Sequence, residues 1–471
     1  MRRAETGIHP APNSVPSVWQ GRKRGVRRTG QADRILFEKG MCIVKETKAA
    51  VQNEAANSDE FSNQRVPMSA RKGMLSLLTV SLGYVFVVTS MQAGGNIGAG
   101  LNFQDTVLAV LVSSVILAVL SCAMGVISAK SGLSLGLLSK YSFGKAGTYV
   151  PVAIVVITTI GWFSIDAYLI GQTTNTLFPI IPIVPVAILG GLGMTFTAMR
   201  GMKWMTYLSN VAVPLIIVFG IISMVLAVNS AGGIAGMMAI PQENPVDFGQ
   251  AVAWGVGSYA VGAVMFTPDI MRFSKNARTA IIVMIITMMI GNTFMLLSGA
   301  IGSVVTGTPD VAIMLSMQGL LAPAFLVLVL NIWSTAQGCV YSGSMSLNSV
   351  VPKVKRTWLV VGFGIIGIIF ALIGFYNYFG SYIDFLSASV PPLAGIFLAD
   401  FLVTYRQDYP DMDSVELPMV NIAGFIAWIV GFAVNRINIG IGMPVINCII
   451  VAFVVKAILG KVMGSGLKTK A

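Results

Sequence analysis

The sequence predicts an all-α integral membrane protein with twelve transmembrane helices, and three observations carry that expectation. The 471 residues are 55% apolar and only 11% charged, with a mean hydropathy of +0.79, too apolar and too sparsely charged for a soluble globular chain. Beyond Gly73 long apolar stretches alternate with short polar ones. A span needs about 20 apolar residues, so a dozen occupy roughly half of the chain and leave room only for short loops. The basic residues, finally, fall in alternate loops, as membrane topology demands. No large soluble enzyme domain fits.

Taken in order, residues 1–72 hold 14 Lys/Arg and 7 Asp/Glu among Pro, Ser, Gln and Asn, with no apolar run of spanning length. This composition predicts a disordered basic tail. The basic stretch Arg22 to Arg28 is followed by no apolar region, so it is not a secretory signal. Met41 and Met68 are alternative starts. Twelve helical stretches follow, at about 74–98, 106–129, 149–173, 179–199, 205–228, 249–267, 280–305, 321–345, 357–376, 379–403, 419–435 and 440–458. Residues 281–305 and 358–375 contain no charge and are the plainest spans. Residues 131–147 are mildly amphipathic and are expected along the inner interface. The resulting organisation is a tail (1–72), a ten-helix core (73–404), an acidic hydrated linker (405–418), two further helices (419–459) and a C-terminal tail (460–471).

Charge placement tests the count. If the tail is cytoplasmic, the same side receives Lys130, Lys140, Lys145, Arg200, Lys203, Arg272, Lys275, Arg278, Lys353, Lys355, Arg356, Arg406 and the C-terminal lysines. The other side keeps Arg436 with Asp105, Glu243, Asp247 and Asp310. One helix more or fewer scrambles that alternation, so twelve spans with both ends cytoplasmic in a cell inner membrane are expected. The net charge of +12 is then a topology signal rather than a nucleic-acid footprint. The four cysteines lie far apart with no CxxC spacing, and the sole histidine, His9, belongs to the tail. Neither a metal cluster nor a histidine relay is indicated.

In hydrocarbon an unpaired backbone is costly, so Gly and Pro clusters inside spans mark helices broken around a cavity. The first stretch carries Gly83, Gly94, Gly95, Gly98 and Gly100; the sixth carries Gly255, Gly257, Ser258, Gly262 and Pro268. They stand five helices apart, the pattern of two inverted five-helix repeats with discontinuous helices 1 and 6 and a site at the midplane. Close helix packing through small residues is the competing reading. The formal dinucleotide match beginning at Gly255 follows no strand and is dismissed.

The eighth stretch reads Asn331-Ile-Trp-Ser334-Thr335-Ala-Gln337. Adjacent hydroxyls can supply hard oxygens to a small cation, although Ser and Thr in a span commonly bond their own helix backbone. Asn331 and Gln337 point to a polar cavity. In the third stretch Trp162 and Asp166 are four apart and share a helical face. A carboxylate at that depth usually faces a cavity or a partner. Asp384 lies nearer a span end, where interfacial solvation competes. Asp269 and Asp400, at cytoplasmic span ends, are expected to be solvated or paired with basic neighbours.

At Ser69-Ala-Arg-Lys-Gly73, Gly161-Trp-Phe163, Asp269-Ile-Met-Arg-Phe273, Leu330-Asn-Ile-Trp333 and Phe385-Leu-Ser-Ala-Ser-Val-Pro-Pro392 the chain resembles the nucleobase-cation symporter family, nearest its bacterial cytosine permeases. The resemblance runs collinearly over about 68–458. It implies two inverted five-helix repeats plus two helices, and inward movement of a flat heterocycle with sodium. Trp162 and Tyr259 would sandwich the base, with Ser258 and Asn331 at the ring edge. Ser334 and Thr335 match the family's sodium ligands, completed by carbonyls near Gly83, Val87 and Asn331. Two positions depart: Thr159 stands where the cytosine permease pattern has Gln, and Asp166 where it has Gly, so the base is left open.

The expected function is thus sodium-coupled import of a nucleobase, cytosine first, by a monomer in lipid with no cofactor beyond the coupling ion. Another purine or pyrimidine, a hydantoin- or allantoin-like ring, and proton coupling through Asp166 are the alternatives within transport. An ion channel and an intramembrane enzyme are remote, because no filter motif and no GxGD-like or HExxH pattern occurs.

Overall fold

The computed structural model describes residues 64–199, 202–241, 245–351, 353–412, 414–437, 442–463 and 468–469. Most of the expected N-terminal tail, together with Arg200 and Glu243, lies outside the described residues. The described residues are almost wholly helical, in the order α1 (Met74–Val85), α2 (Val88–Gly100), α3 (Phe103–Ser131), α4 (Leu135–Phe143), α5 (Tyr149–Leu177), α6 (Ile183–Met199), α7 (Met202–Ser230), α8 (Ile234–Ala239) and α9 (Phe248–Met271). There follow α10 (Ala277–Thr306), α11 (Val311–Met317), α12 (Leu321–Val350), α13 (Arg356–Leu372), α14 (Phe379–Ser389), α15 (Pro391–Ala399), α16 (Ile422–Ile437) and α17 (Pro444–Met463). Two-residue strands at Val415–Glu416 and Lys468–Thr469 pair antiparallel.

Each helix begins and ends where its polar residues dictate. Asn102 opens α3 by accepting the Asp105 N–H at 2.9 Å, and Gly132, with φ +70°, closes it in the left-handed conformation that favours glycine. Asn276 opens α10 by accepting the Thr279 N–H at 2.8 Å, and Gly307 closes it with φ +68°. The outward faces carry exposed apolar side chains such as Leu108, Val115 and Val119 on α3 and Ile365 and Ile369 on α13. Such a girdle suits lipid rather than water.

Eight helices are long and apolar enough to cross a membrane alone, and the α1–α2 pair, bent by 56°, makes a ninth. α6, α13 and α16 are apolar but shorter, at 10–17 residues. Each of the twelve apolar stretches overlaps a helix among the described residues, although by length and composition the helices are eight or nine spans.

One placement differs from expectation. The first stretch is broken, as its glycines suggested, but the sixth is not: α9 runs on from Phe248 to Met271 through a π-turn at Gly262–Phe266. Its glycines serve close approach instead. A Cβ on Gly257 would strike the Ile383 carbonyl and one on Gly255 the Ser113 side chain, which is helix packing through small residues. Residues 131–147 pack against the rest of the protein. They form α4, whose Leu137, Leu138, Tyr141 and Phe143 are fully buried, with Lys145 and Ala146 N–H groups bonded to the Pro418 and Met419 carbonyls at 2.9 and 2.8 Å. In 405–418 the acidic residues Asp408, Asp411 and Glu416 are exposed, while Tyr405 and Tyr409 are buried against each other with ring centroids 4.7 Å apart.

Candidate functional site

The break between α1 and α2 organises the site. The Phe86 N–H still reaches the Leu82 carbonyl at 3.3 Å, but the Val87 N–H turns to the Val85 carbonyl at 2.9 Å, so the Gly83 carbonyl loses its helical partner. Val88 N–H donates instead to Asn331 Oδ1 at 3.0 Å, and Asn331 Nδ2 donates to the Phe86 carbonyl at 2.9 Å. One buried side-chain amide thus replaces helical bonds on both sides of the break, where an unpaired backbone in an apolar medium would be costly. On the next turn of α12 the Ser334 and Thr335 hydroxyls donate to the Asn331 carbonyl at 2.9 and 3.0 Å. Each hydroxyl oxygen keeps lone pairs. Gly83, Val87, Asn331, Ser334 and Thr335 are therefore gathered around one discontinuity, while the Asn331 amide is engaged with backbone.

On α5, Trp162 is buried edge-to-face against Phe379 and Tyr382, with centroids 5.9 and 5.3 Å away. Tyr382 donates to the Thr158 carbonyl at 2.6 Å, its ring lying where a Cβ on Gly161 would be. Thr159 donates to the Val155 carbonyl at 2.8 Å and abuts Gly343 of α12. Asp166 is 1% exposed, and neither carboxylate oxygen meets a hydrogen-bonding partner among the described residues. Its electrostatic neighbours include Cys339 and Tyr382. Tyr259 and Ser258 stand apart on α9. Ser258 donates to its own Gly255 carbonyl at 2.7 Å, and the half-buried Tyr259 ring folds over Gly262. Among the described residues Trp162 has ring partners on α14 and none in Tyr259.

A cavity of about 270 Å³ lies at the basic end of the bundle, between Lys72, Ser139, Asp269, Arg272 and Ser346, and reaches inward to Tyr84 and Phe266. Away from that cavity, side chains tie neighbouring segments together. The Gln92 amide clamps two segments: Nε2 donates to the Pro309 carbonyl at 2.7 Å and Oε1 accepts the Val311 N–H at 3.1 Å. Asp310 caps α11 through the Ala312 and Ile313 N–H groups and accepts the Tyr376 hydroxyl at 2.9 Å. Tyr376 stacks on Tyr168 at 4.6 Å.

The other carboxylates singled out in the sequence each meet a polar partner. Asp384 bonds Arg436 and accepts from Gln250 at 3.2 Å; Asp269 accepts the Leu135 N–H at 3.0 Å; Asp400 pairs with Lys456. Gln92, Tyr376 and Lys456 escaped the sequence reading. An amide between the glycines of the first stretch and a lysine inside the last one were the available signals.

A family model described as "Permease for cytosine/purines, uracil, thiamine, allantoin" matches residues 65–460. The chain belongs to this permease family. The cytosine permease of Escherichia coli K12 is 35% identical over 385 residues, covering 81% of this chain and 90% of the relative. Inward-facing Mhp1 superposes with a TM-score of 0.76 at 17% identity, over 86% of this chain and 94% of Mhp1. Closed Mhp1 with bromovinylhydantoin bound gives 0.70 at 17% identity, over 86% and 96% of the two chains. A Na+-coupled sialic acid symporter gives 0.57 at 11% identity, over 90% and 97%. The permease therefore has a transporter fold of the Mhp1 kind, and its broken α1–α2 pair is packed against the helix that carries Asn331.

Proposed function

We propose that this permease imports a nucleobase, cytosine first, together with sodium by alternating access. In this reading the bundle makes twelve spans, two inverted five-helix repeats and two C-terminal helices, with both termini cytoplasmic. The observation that carries it is the Asn331 amide bridging the α1–α2 break beside the Ser334 and Thr335 hydroxyls. Mhp1 is described as a nucleobase-cation-symport-1 family transporter with bromovinylhydantoin bound, and the sialic acid symporter as Na+-coupled; both descriptions favour the same chemistry here.

Sodium would be held by neutral oxygens, the hydroxyls of Ser334 and Thr335 with carbonyls of Gly83, Val87 and Asn331, joining the broken pair to α12. The base would lie between Trp162 and Tyr259, each ring face accepting any planar heterocycle. Ser258, Thr159, Asp166 and Asn331 would read its edge, the last only by releasing one of its backbone bonds. A cavity at the basic end with the Gln92 and Asp310 ties formed away from it suits an inward-facing state. Sodium favours the outward-open state only if it binds that state more tightly.

Radiolabelled cytosine uptake in cells expressing the protein, with sodium replaced by choline, tests this. A fall of roughly tenfold or more is expected, a coupling of about 1.4 kcal/mol. Undiminished uptake removes sodium from the mechanism. The unpartnered Asp166 carboxyl favours one second reading, proton coupling or a different heterocycle, which a competition panel run with and without sodium separates.

A further inference from the structure

Three buried polar side chains play no part in the site described above. Asn292 is 0% exposed, and neither its Oδ1 nor its Nδ2 meets a hydrogen-bonding partner among the described residues. The hydroxyls of Ser90 and Ser114 are equally buried and equally unpartnered. In an apolar interior such groups are satisfied or costly.

Helix packing brings them to one level. α2 and α10 run parallel in backbone contact, since a Cβ on Gly94 would strike the Leu296 backbone and one on Gly98 the Ala300 backbone. One turn earlier on the two helices stand Ser90 and Asn292. α3 runs antiparallel to α10: the Cys122 thiol donates to the Ile281 carbonyl at 3.6 Å, and Gly125 lies between Ala280 and Met284. About three turns further along both helices Ser114, on the same face as Gly125, comes level with Asn292. Asn292 also closes the π-turn Thr287–Asn292, and its neighbour Gly291 rests against Val85 and Phe86 at the break. π-Turns are frequent at functional sites.

We propose that Ser90, Ser114 and Asn292 form a second cation site, for a small monovalent ion of the sodium class. The donors are hard oxygens without charge, and no Asp or Glu occurs in α2, in α10 or in α3 beyond Asp105 at its start. A divalent ion would call for carboxylates, whereas a monovalent ion is served by neutral oxygens. Bound there, it ties the outer half of the broken helix and α3 to α10, at a place separate from the Ser334 and Thr335 pair. The inference rests on the sodium-coupled reading but makes its own demand on stoichiometry.

Equilibrium binding of radioactive sodium to the purified full-length protein is the test. The wild type should bind about two ions per chain, and Asn292→Ala and Thr335→Ala should each bind about one. Asn292→Asp, which keeps the side-chain size and adds a charge, should raise sodium affinity roughly tenfold, a gain that no unfolded variant can show. A single wild-type ion, lost in Thr335→Ala, with unchanged affinity in Asn292→Asp, overturns the second site and assigns these groups to trapped water. Binding lost in Asn292→Ala but intact in Thr335→Ala upholds this site and refutes the Ser334 and Thr335 pair. No sodium binding at all refutes both.

Discussion

Lys456 Nζ lies 3.4 Å from Asp400 Oδ1, and both side chains are 1% exposed. The pair joins α17 to the turn after α15. Lys456 also donates to the Ser142 carbonyl at 3.1 Å, and Asp400 accepts the Thr404 hydroxyl at 3.0 Å, so α4 is held at the same point. Removing one partner strands a charge, which costs about 3–5 kcal/mol, whereas replacing both by apolar groups is near neutral. Lys456→Met should therefore lower the melting temperature of the purified protein sharply, and Lys456→Met with Asp400→Leu should restore most of it. Equal loss in both would mean that packing, not charge, dominates there.

The Asn331 clasp gives a second expectation. Asn331→Ala leaves the Val88 N–H and the Phe86 carbonyl unpaired, at roughly 1–3 kcal/mol for each buried group. Uptake should fall more than about tenfold. Asn331→Asp keeps an acceptor for Val88 but loses the donor to Phe86, so it should be intermediate in a thermal melt. Wild-type behaviour of the alanine variant would show that the break holds without the amide.

Tyr376→Phe removes the hydroxyl bonded to Asp310 while leaving the stack on Tyr168. One such bond is worth about 1 kcal/mol, or roughly fivefold in an equilibrium. Amide hydrogen exchange over 309–317 should accelerate by that factor. Unchanged exchange would show that Gln92 holds this segment alone.

Asp166→Asn replaces a buried carboxyl that no described residue bonds with an amide of the same size, so stability should change little. The inhibition profile of unlabelled bases or the pH dependence of uptake should change. If neither moves, the carboxyl is structural.

Much of the fold was legible because the length of an apolar run, read against bilayer thickness, is a local property. Each apolar stretch overlaps a helix among the described residues, and the break near Gly83 was visible as a glycine in mid-span. The glycines of the two clusters, however, look alike in sequence and differ in use: Gly83 accompanies a break, whereas Gly94 and Gly98 let α2 approach α10 and Gly255 and Gly257 let α9 approach α3 and α14. Which use a glycine serves depends on the helix opposite, and that partner is not encoded nearby.

By itself the sequence determined the membrane environment, the helices, the family resemblance and the candidates at Trp162, Asn331 and Ser334–Thr335. Only tertiary structure decided their engagements. The Asn331 amide meets a backbone 243 residues earlier, Trp162 finds its aromatic neighbours on α14, and Lys456 finds its carboxylate on another helix. Hydrogen bonds and ring contacts act over a few ångströms in space, and nothing in the spacing of residues along a chain states which distant groups will share that space.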